Sequence, residues 1–207
     1  MISIKNLTKQ YKPGHPIFSD FSKEFNPGDA IGIIGPNGSG KTTFLRILSV
    51  NSFPSEGGVF FDEVNIHEHP NQYLKNVGLV HDEETLPAHL TASELLEWIL
   101  RNRNSWNESS EQEIEKIFDQ LSLDARNEQI GTFSTGMKKK TQIAAALIHQ
   151  PKILIMDEPL RGLDKETRVI VMDMLKEIKS NNTLIFMSSH YMGEEGELFD
   201  EMIHFPL

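Results

Sequence analysis

The chain contains no cysteine, which excludes disulfide bonds, thiolate metal sites and a cysteine nucleophile. It also has no apolar run close to the ~20 residues that a membrane-spanning helix requires. The longest apolar stretches, Ile31–Ile34 and Ile153–Met156, have the length of strands. If the protein acts at a membrane, we therefore expect another chain to span it. The start, Met1–Lys5, lacks the basic and then apolar segments of a secretory signal peptide, so we expect no leader.

Basic residues are too few to balance the acidic ones. The chain has 20 Lys and Arg against 30 Asp and Glu, and its formal net charge is -10. An acidic surface argues against nonspecific binding to nucleic acid, so we expect no nucleic-acid partner. It does not argue against a nucleotide, because a few local donors can hold a phosphate inside an acidic protein. The length of 207 residues fits a single globular domain.

Short apolar runs alternate with helical patterns along most of the chain. The run Ala30–Ile34 is nearly all apolar and rich in β-branched residues, which is typical of a strand buried on both faces. Alternating strands and helices predict an α/β fold with a mostly parallel sheet. We predict strands at Ile2–Leu7, Phe18–Phe25, Ala30–Ile34, Gly58–Phe61, Asn76–Val80, Ile153–Met156, Thr183–Met187 and Met202–Phe205, and helices at Thr42–Leu48, Met137–Ile148 and Lys165–Lys179.

The middle of the chain carries helical patterns without strands. Thr91–Glu94 and Ser110–Glu113 each fit a capping box ahead of an apolar stripe. We therefore predict a helical subdomain over residues 85–130, inserted between residues 1–84 and 131–207 of a nucleotide-binding core.

A glycine-rich loop follows the buried strand and precedes a helix. Its sequence matches G-x-x-x-x-G-K-[ST], in which backbone N–H groups wrap phosphate oxygens, the lysine reaches the β- and γ-phosphates and the hydroxyl can hold Mg²⁺. The alternative is a glycine-rich turn that fits by chance, and the strand–loop–helix context disfavours it. The predicted phosphate-binding residues are Gly35, Pro36, Asn37, Gly38, Ser39, Gly40, Lys41, Thr42 and the adjacent Thr43.

The strand Ile153–Met156 ends in two carboxylates, Asp157 and Glu158. Taken alone, such a pair is more often a solvated strand end. In a chain with a phosphate loop, Asp157 suits Mg²⁺ binding and Glu158 suits activation of the water that attacks the γ-phosphate.

Further motifs, in order along the chain, resemble those of the ATP-binding-cassette (ABC) ATPase family. The family's signature is matched by Phe133–Met137, and the acidic strand end continues through Pro159–Asp164 in the manner of the family's D-loop. Ser188-Ser189-His190 resembles the histidine switch, and Tyr11 lies where the family places a ring that stacks on adenine. The resemblance covers nearly the whole chain.

The resemblance implies an α/β P-loop core with an N-terminal antiparallel part and an inserted helical subdomain. It implies ATP and Mg²⁺ as ligands, and a head-to-tail dimer, of two identical or two different ATPase subunits, in which Ser134, Gly136 and Met137 of one chain reach the ATP of the other. His190 would touch the γ-phosphate, and Asp164 would act across the interface. The alternatives are an ordinary strand-end histidine at His190 and a packed surface aromatic at Tyr11.

The chain departs from the family pattern at several positions. Asp82 takes the place of a glutamine that senses Mg²⁺; it either binds metal, with His81 as another possible replacement, or is a solvated loop acid. Thr135 and Met137 alter the signature towards a bacterial branch that often serves ABC-2 type exporters. The lysines after it, residues 138–140, either contact a partner or form a solvated face. Arg161 stands where many members carry a small or amide residue.

The resemblance implies Mg²⁺-dependent ATP hydrolysis, with Glu158, His190 and Lys41 catalytic and with Thr42, Asp157 and Asp82 as metal residues. The expected partner is an integral membrane permease subunit, and the expected place is the cytoplasmic face of the cell membrane. The alternatives are a soluble ABC ATPase and a regulatory subunit that hydrolyses ATP poorly. We expect no further regulatory domain after Leu207.

Overall fold

The fold was derived from a computed structural model, which describes residues 1–83, 85–189 and 194–207. The strands are β1 (Ile2–Lys12), β2 (His15–Phe25), β3 (Ala30–Ile34), β4 (Glu56–Phe61), β5 (Val64–Asn65), β6 (Val77–Val80), β7 (Ile153–Met156), β8 (Leu184–Ser189) and β9 (Glu201–His204). The helices are α1 (Lys41–Leu48), α2 (Pro70–Leu74), α3 (Ala92–Asn102), α4 (Ser110–Gln120), α5 (Thr135–Leu147) and α6 (Lys165–Ser180). Short 3₁₀ turns lie at Asp124–Asn127, Ile130–Thr132 and Glu194–Glu197.

A parallel sheet forms the centre of the molecule, with the strand order β6-β7-β8-β3-β9 in the described residues. Every residue of β3, β7 and β8 is buried, as the apolar runs predicted. Strands β3 and β7 flank β8 in the same direction. Their carboxyl ends, at Ile34, Met156 and Ser189, therefore meet at one edge of the sheet, which is where ligands bind in α/β proteins.

An antiparallel sheet with the order β2-β1-β4-β5 covers one side of this core. Aromatic rings fill the space between the two sheets: Phe18 packs edge-on against Phe44 and Phe205, and Phe25 packs edge-on against Phe186 at 4.9 Å. All five rings are buried, so these contacts contribute to the apolar burial that stabilises the packing of the N-terminal part on the parallel sheet. The parallel sheet and the antiparallel N-terminal part confirm the predicted fold class.

Helices α3 and α4 pack through apolar faces into a cluster that continues to α5 and the sheet. The Thr91 side chain accepts a hydrogen bond from the Glu94 N–H, and the Glu94 carboxylate accepts one from the Thr91 N–H, so the first predicted capping box is confirmed. The second predicted box, Ser110–Glu113, is wrong. The N-cap is Ser109, its side chain caps no N–H, and the Ser110 hydroxyl instead accepts from Asn107.

The observed strands and helices match the predicted ones closely in place and type. Strands β1 and β2 extend further towards their shared turn than predicted, because the polar residues there pair across a hairpin, and β5 and α2 lie where no element was predicted. No helix in the described part of the chain combines the length and apolar character that crossing a bilayer requires.

Candidate nucleotide-binding site

The glycine-rich loop lies between β3 and α1 and is confined by its neighbours. A Cβ added to Gly40 would lie 2.4 Å from the Ile17 side chain, and the φ of Gly40 is +111°, which disfavours other residues. A Cβ added to Gly35 would lie 2.5 Å from the backbone oxygen of Phe205. The loop therefore reaches its close path only because these two positions lack side chains.

The Lys41 side chain folds back over this loop. Its ammonium group, on a residue only 5% exposed, donates to the backbone oxygens of Gly35 at 2.7 Å and Pro36 at 3.0 Å. Lys41 begins α1, whose N-cap, Gly40, has no side chain to satisfy the first N–H groups. A positive charge and the donors of a helix N-terminus thus lie in one loop, the arrangement that binds phosphate.

The Ser39 hydroxyl is a further polar group in the loop. Its oxygen is buried and has no hydrogen-bond partner among the described residues. An unsatisfied buried hydroxyl costs stability unless a ligand or water bonds to it. This observation fits a loop built around a bound anion.

Ser188 of the neighbouring β8 holds the Asp157 carboxylate and the Glu158 backbone at the end of β7. The Ser188 hydroxyl, on a residue only 1% exposed, donates to Asp157 Oδ1 at 2.6 Å and accepts from the Glu158 N–H at 2.9 Å. The backbone of Glu158 is left-handed, with a φ of +48°, and such a conformation is uncommon for a residue with a side chain and clusters at functional sites. Ser188 was noted within the switch motif, but its bridging role was not predicted.

The three predicted metal residues, Thr42, Asp82 and Asp157, line one cleft of about 310 Å³. Asp157 is 7% exposed, so its carboxylate faces a restricted space. His81 and Arg46 also line this cleft. Partial burial lowers the pKa of His81, and the charge of Arg46 lowers it further.

The acidic segment around Asp82 is tied to helix α5. Lys139 Nζ donates to the backbone oxygens of His81 at 2.8 Å and Asp82 at 3.2 Å, and Gln142 donates to that of Glu83 at 2.8 Å. Lys139 is 0% exposed. For this residue, the expectation of a solvated or partner-facing lysine run is wrong: its ammonium group is buried and donates to two backbone carbonyl groups of the same chain.

Arg161 lies between two of the acidic side chains. Its Nη1 lies 2.8 Å from Asp82 Oδ1, as an ion pair whose angle is poor for a hydrogen bond, and 3.4 Å from Glu158 Oε2. The carboxylates at this edge of the cleft are therefore partly compensated within the chain.

The signature segment forms the N-terminus of α5. The Ser134 side chain caps the helix by accepting from the Met137 N–H at 3.3 Å, so the helix begins at Thr135, two residues before the predicted start at Met137. A Cβ on Gly136 would lie 3.2 Å from the Gly162 oxygen, so the signature and the D-loop pack against each other within the chain. Asp164 caps α6 by accepting from the Thr167 N–H at 2.8 Å, and this bond lowers its pKa.

The remaining predicted site residues lie apart from the cleft or outside the described residues. Tyr11, at the exposed end of β1, is 64% exposed, and the Lys9 ammonium lies 4.8 Å from the centre of its ring. The exposure suits a stacking ring better than a packed one. His190 lies outside the described residues.

Known proteins with similar sequences and folds identify the family of this chain. A family model described as "ABC transporter" matches residues 18–161. The chain is 31% identical to the ABC transporter ATP-binding protein NatA of Bacillus subtilis, covering 98% of this chain and 85% of that protein. It is 30% identical to the Nod factor export ATP-binding protein I of Cupriavidus metallidurans, covering 98% and 67%. A solved dimeric ATP-binding cassette in a post-hydrolysis state, bound to ADP and Pi, has the same fold, with a TM-score of 0.87 over 99% of this chain and 94% of that one at 24% identity.

Proposed function

Because the chain belongs to the ABC transporter family, we propose that it is the ATP-hydrolysing subunit of a transporter and drives export through a separate membrane-spanning subunit. The observation that carries the proposal is that Thr42 and Asp157 line the same cleft. Thr42 directly follows Lys41 of the phosphate loop, and Asp157 directly precedes Glu158 at the end of β7. Phosphate-binding donors, a metal-binding carboxylate and a base are the parts that phosphoryl transfer to water requires.

The chemistry assigns a role to each part. The ammonium of Lys41 and the N–H groups of the loop and of α1 stabilise the charge that develops on the phosphate oxygens. Glu158 orients a water molecule and accepts its proton as the water oxygen attacks the γ-phosphorus, and ADP and phosphate are the products. The Ser188 hydroxyl holds the Asp157 carboxylate and the Glu158 backbone, so both acids keep their places.

The cleft suits Mg²⁺, which prefers hydroxyl, carboxylate and phosphate oxygens. Thr42 and Asp157 line the cleft and would hold the ion. Bound there, Mg²⁺ would neutralise part of the phosphate charge. The third candidate, Asp82, already has an arginine beside its carboxylate.

We infer that two ATPase subunits close over two ATP molecules. Ser134, Gly136 and Met137 form a capped helix N-terminus, which is an anion site of its own. The family resemblance and the dimeric cassette of the same fold support its use across a dimer. Tyr11 would stack on adenine, and Asp164 would act at the interface. His190 would touch the γ-phosphate.

The membrane subunit would dock on the surface between residues 78–91 and the helices of residues 85–130, the inserted subdomain of the core formed by residues 1–84 and 131–207. The chain would then be a peripheral protein at the cytoplasmic face of the membrane. Export is favoured by the Ser-Thr-Gly-Met signature and by the Nod factor export protein among the relatives.

Copurification from native membranes tests this proposal. The tagged chain is solubilised in mild detergent and purified, and its companions are identified by mass spectrometry, with an untagged strain as control. We expect a protein with several membrane spans to be enriched. If the chain is recovered only from the soluble fraction, without such a companion, the transporter assignment fails and a soluble ABC ATPase takes its place.

A further inference from the structure

Two departures from the family pattern meet in space. Asp82, in the place of a glutamine, and Arg161, in the place of a small or amide residue, are far apart in the sequence. In the structure Arg161 Nη1 and Asp82 Oδ1 are 2.8 Å apart. The same nitrogen lies 3.4 Å from Glu158 Oε2. Neither departure has an obvious use alone, whereas together they place a positive charge between two acids.

The positions of the two acids are fixed by independent contacts. The Asp82 backbone oxygen accepts from the fully buried Lys139, which belongs to α5. The Glu158 N–H donates to the buried hydroxyl of Ser188. Both backbones are thus held from the core, and one end of the Arg161 side chain spans the gap between them.

The exposure of the three side chains indicates whether loss of Arg161 should change folding stability or the rate of hydrolysis. The Arg161 side chain is 57% exposed and that of Asp82 37%, whereas that of Glu158 is only 14% exposed. Water screens the Arg161–Asp82 pair, so it contributes little to folding stability. The Glu158 carboxylate is more shielded and close to the reaction, so a small change in its position has a larger effect on rate than on stability.

The negative charge that Asp82 adds to the site also requires a compensating positive charge. Asp82 and Asp157 line the cleft proposed to accept the negative phosphates of ATP, and Glu158 directly follows Asp157. A glutamine at residue 82 would add no charge, but an aspartate does. Arg161 compensates this charge, because its Nη1 lies close to both the Asp82 and the Glu158 carboxylates.

We propose that Arg161 is a positioning residue for ATP hydrolysis, which it serves by holding the Glu158 carboxylate in place while anchored on Asp82. Asp82 then acts as the anchor of this arginine rather than as a metal ligand. The inference rests on the proposed function, in which Glu158 activates water. The three residues form one unit, Asp82 to Arg161 to Glu158, and loss of either of the first two removes the Arg161 contribution to the position of the Glu158 carboxylate.

A double-mutant cycle tests this unit in the purified chain. Steady-state kcat and KM for ATP are measured, with saturating Mg²⁺, for Arg161→Ala, Asp82→Asn and the double variant. We expect each single variant to lower kcat by about five- to tenfold, the size typical of coupled neighbouring residues. The double variant should be no slower than either single one, because the members of a unit are not additive. KM should change by less than about twofold, because neither residue is assigned to ATP binding.

Arg101→Ala is the matched control, because Arg101 is an exposed arginine that pairs with Glu97 at 2.7 Å on α3, away from the cleft. It should leave kcat unchanged, and urea unfolding should show equal stability for all these variants within about 1 kcal/mol. An Arg161→Ala variant with wild-type kcat overturns the inference, as does a double variant slowed by the product of the single effects.

Glu158→Gln separates this inference from the proposed function. An inactive wild-type protein, or a Glu158→Gln variant with undiminished turnover, contradicts the proposed function and the inference with it. Active wild-type protein, inactive Glu158→Gln and unaffected Arg161→Ala contradict the inference alone.

Discussion

Replacing Ser188 by alanine should weaken both the fold and the reaction. The substitution removes only the Ser188 hydroxyl group, so the cavity that it creates is no larger than one oxygen atom. Two hydrogen bonds disappear: the one donated to the Asp157 carboxylate at 2.6 Å and the one accepted from the Glu158 N–H at 2.9 Å.

The magnitude follows from the burial of these groups. A hydrogen bond to a charged group contributes about 1.5–3 kcal/mol, and a buried N–H left without a partner costs about 1–3 kcal/mol. Ser188 is 1% exposed and Asp157 is 7% exposed, so water replaces the hydroxyl poorly. Taking the lower part of both ranges, we expect Ser188→Ala to reduce the free energy of unfolding by about 3 kcal/mol. For a chain of this length, that corresponds to a fall in Tm of roughly 6–12 °C.

Urea unfolding followed by circular dichroism measures the loss, and Thr183→Val is the matched control. Thr183 precedes β8 and is buried, and its hydroxyl makes one neutral hydrogen bond, to the Pro151 oxygen at 2.8 Å. This variant should lose about 1 kcal/mol. A loss from Ser188→Ala no greater than the loss from Thr183→Val would refute the view that Ser188 supports the two acids. ATP turnover should also fall, because Glu158 then loses its backbone support.

Three further outcomes are expected. Gly40→Ala should abolish binding of a fluorescent ATP analogue, since its Cβ would lie 2.4 Å from Ile17 at a φ of +111°; retained affinity would refute the described loop path. Thr91→Ala should lower the free energy of unfolding by about 1–2 kcal/mol in urea, because the Thr91 hydroxyl no longer accepts from the Glu94 N–H; no loss would contradict the cap. Burial lowers the pKa of His149 to about 4 from 6.5, so the unfolded chain binds the proton more tightly and stability falls as the pH drops from 6.5 towards 4. At pH 5 we expect a loss of about 1–2 kcal/mol for a partly exposed ring. His149→Gln should remove this part of the pH dependence, and an unchanged profile would contradict it.

The sequence predicted the features that depend on local patterns. The buried strands β3 and β7 have the predicted bounds, because continuous apolar runs leave little choice of structure. The phosphate loop and the Thr91 cap were also predicted, because their residue types act on their immediate neighbours. The second capping box failed for the same local reason: Ser109 precedes Ser110, and either serine could begin the helix.

Features that depend on distant contacts could not be predicted. The lysine run after the signature gave no indication that Lys139 lies fully buried, because its partners are backbone oxygens of another segment. The ion pair of Arg161 with Asp82 joins two segments that only the sheet order brings together. Ser188 bridges two strands in the same way. The sequence pointed to Arg161 only as an unexplained residue, and its partner had to come from the structure.

ATP turnover by the purified chain is the most direct test of the account. Phosphate release is measured with Mg²⁺ and ATP for the wild-type protein and for Glu158→Gln, with ATP binding measured in parallel. We predict that the wild-type protein hydrolyses ATP, and that Glu158→Gln binds ATP with similar affinity but loses turnover by at least about a hundredfold. Equal turnover by the two proteins would contradict the role given to Glu158 at the end of β7, and absence of turnover in both would contradict the assignment of the chain as an ATPase.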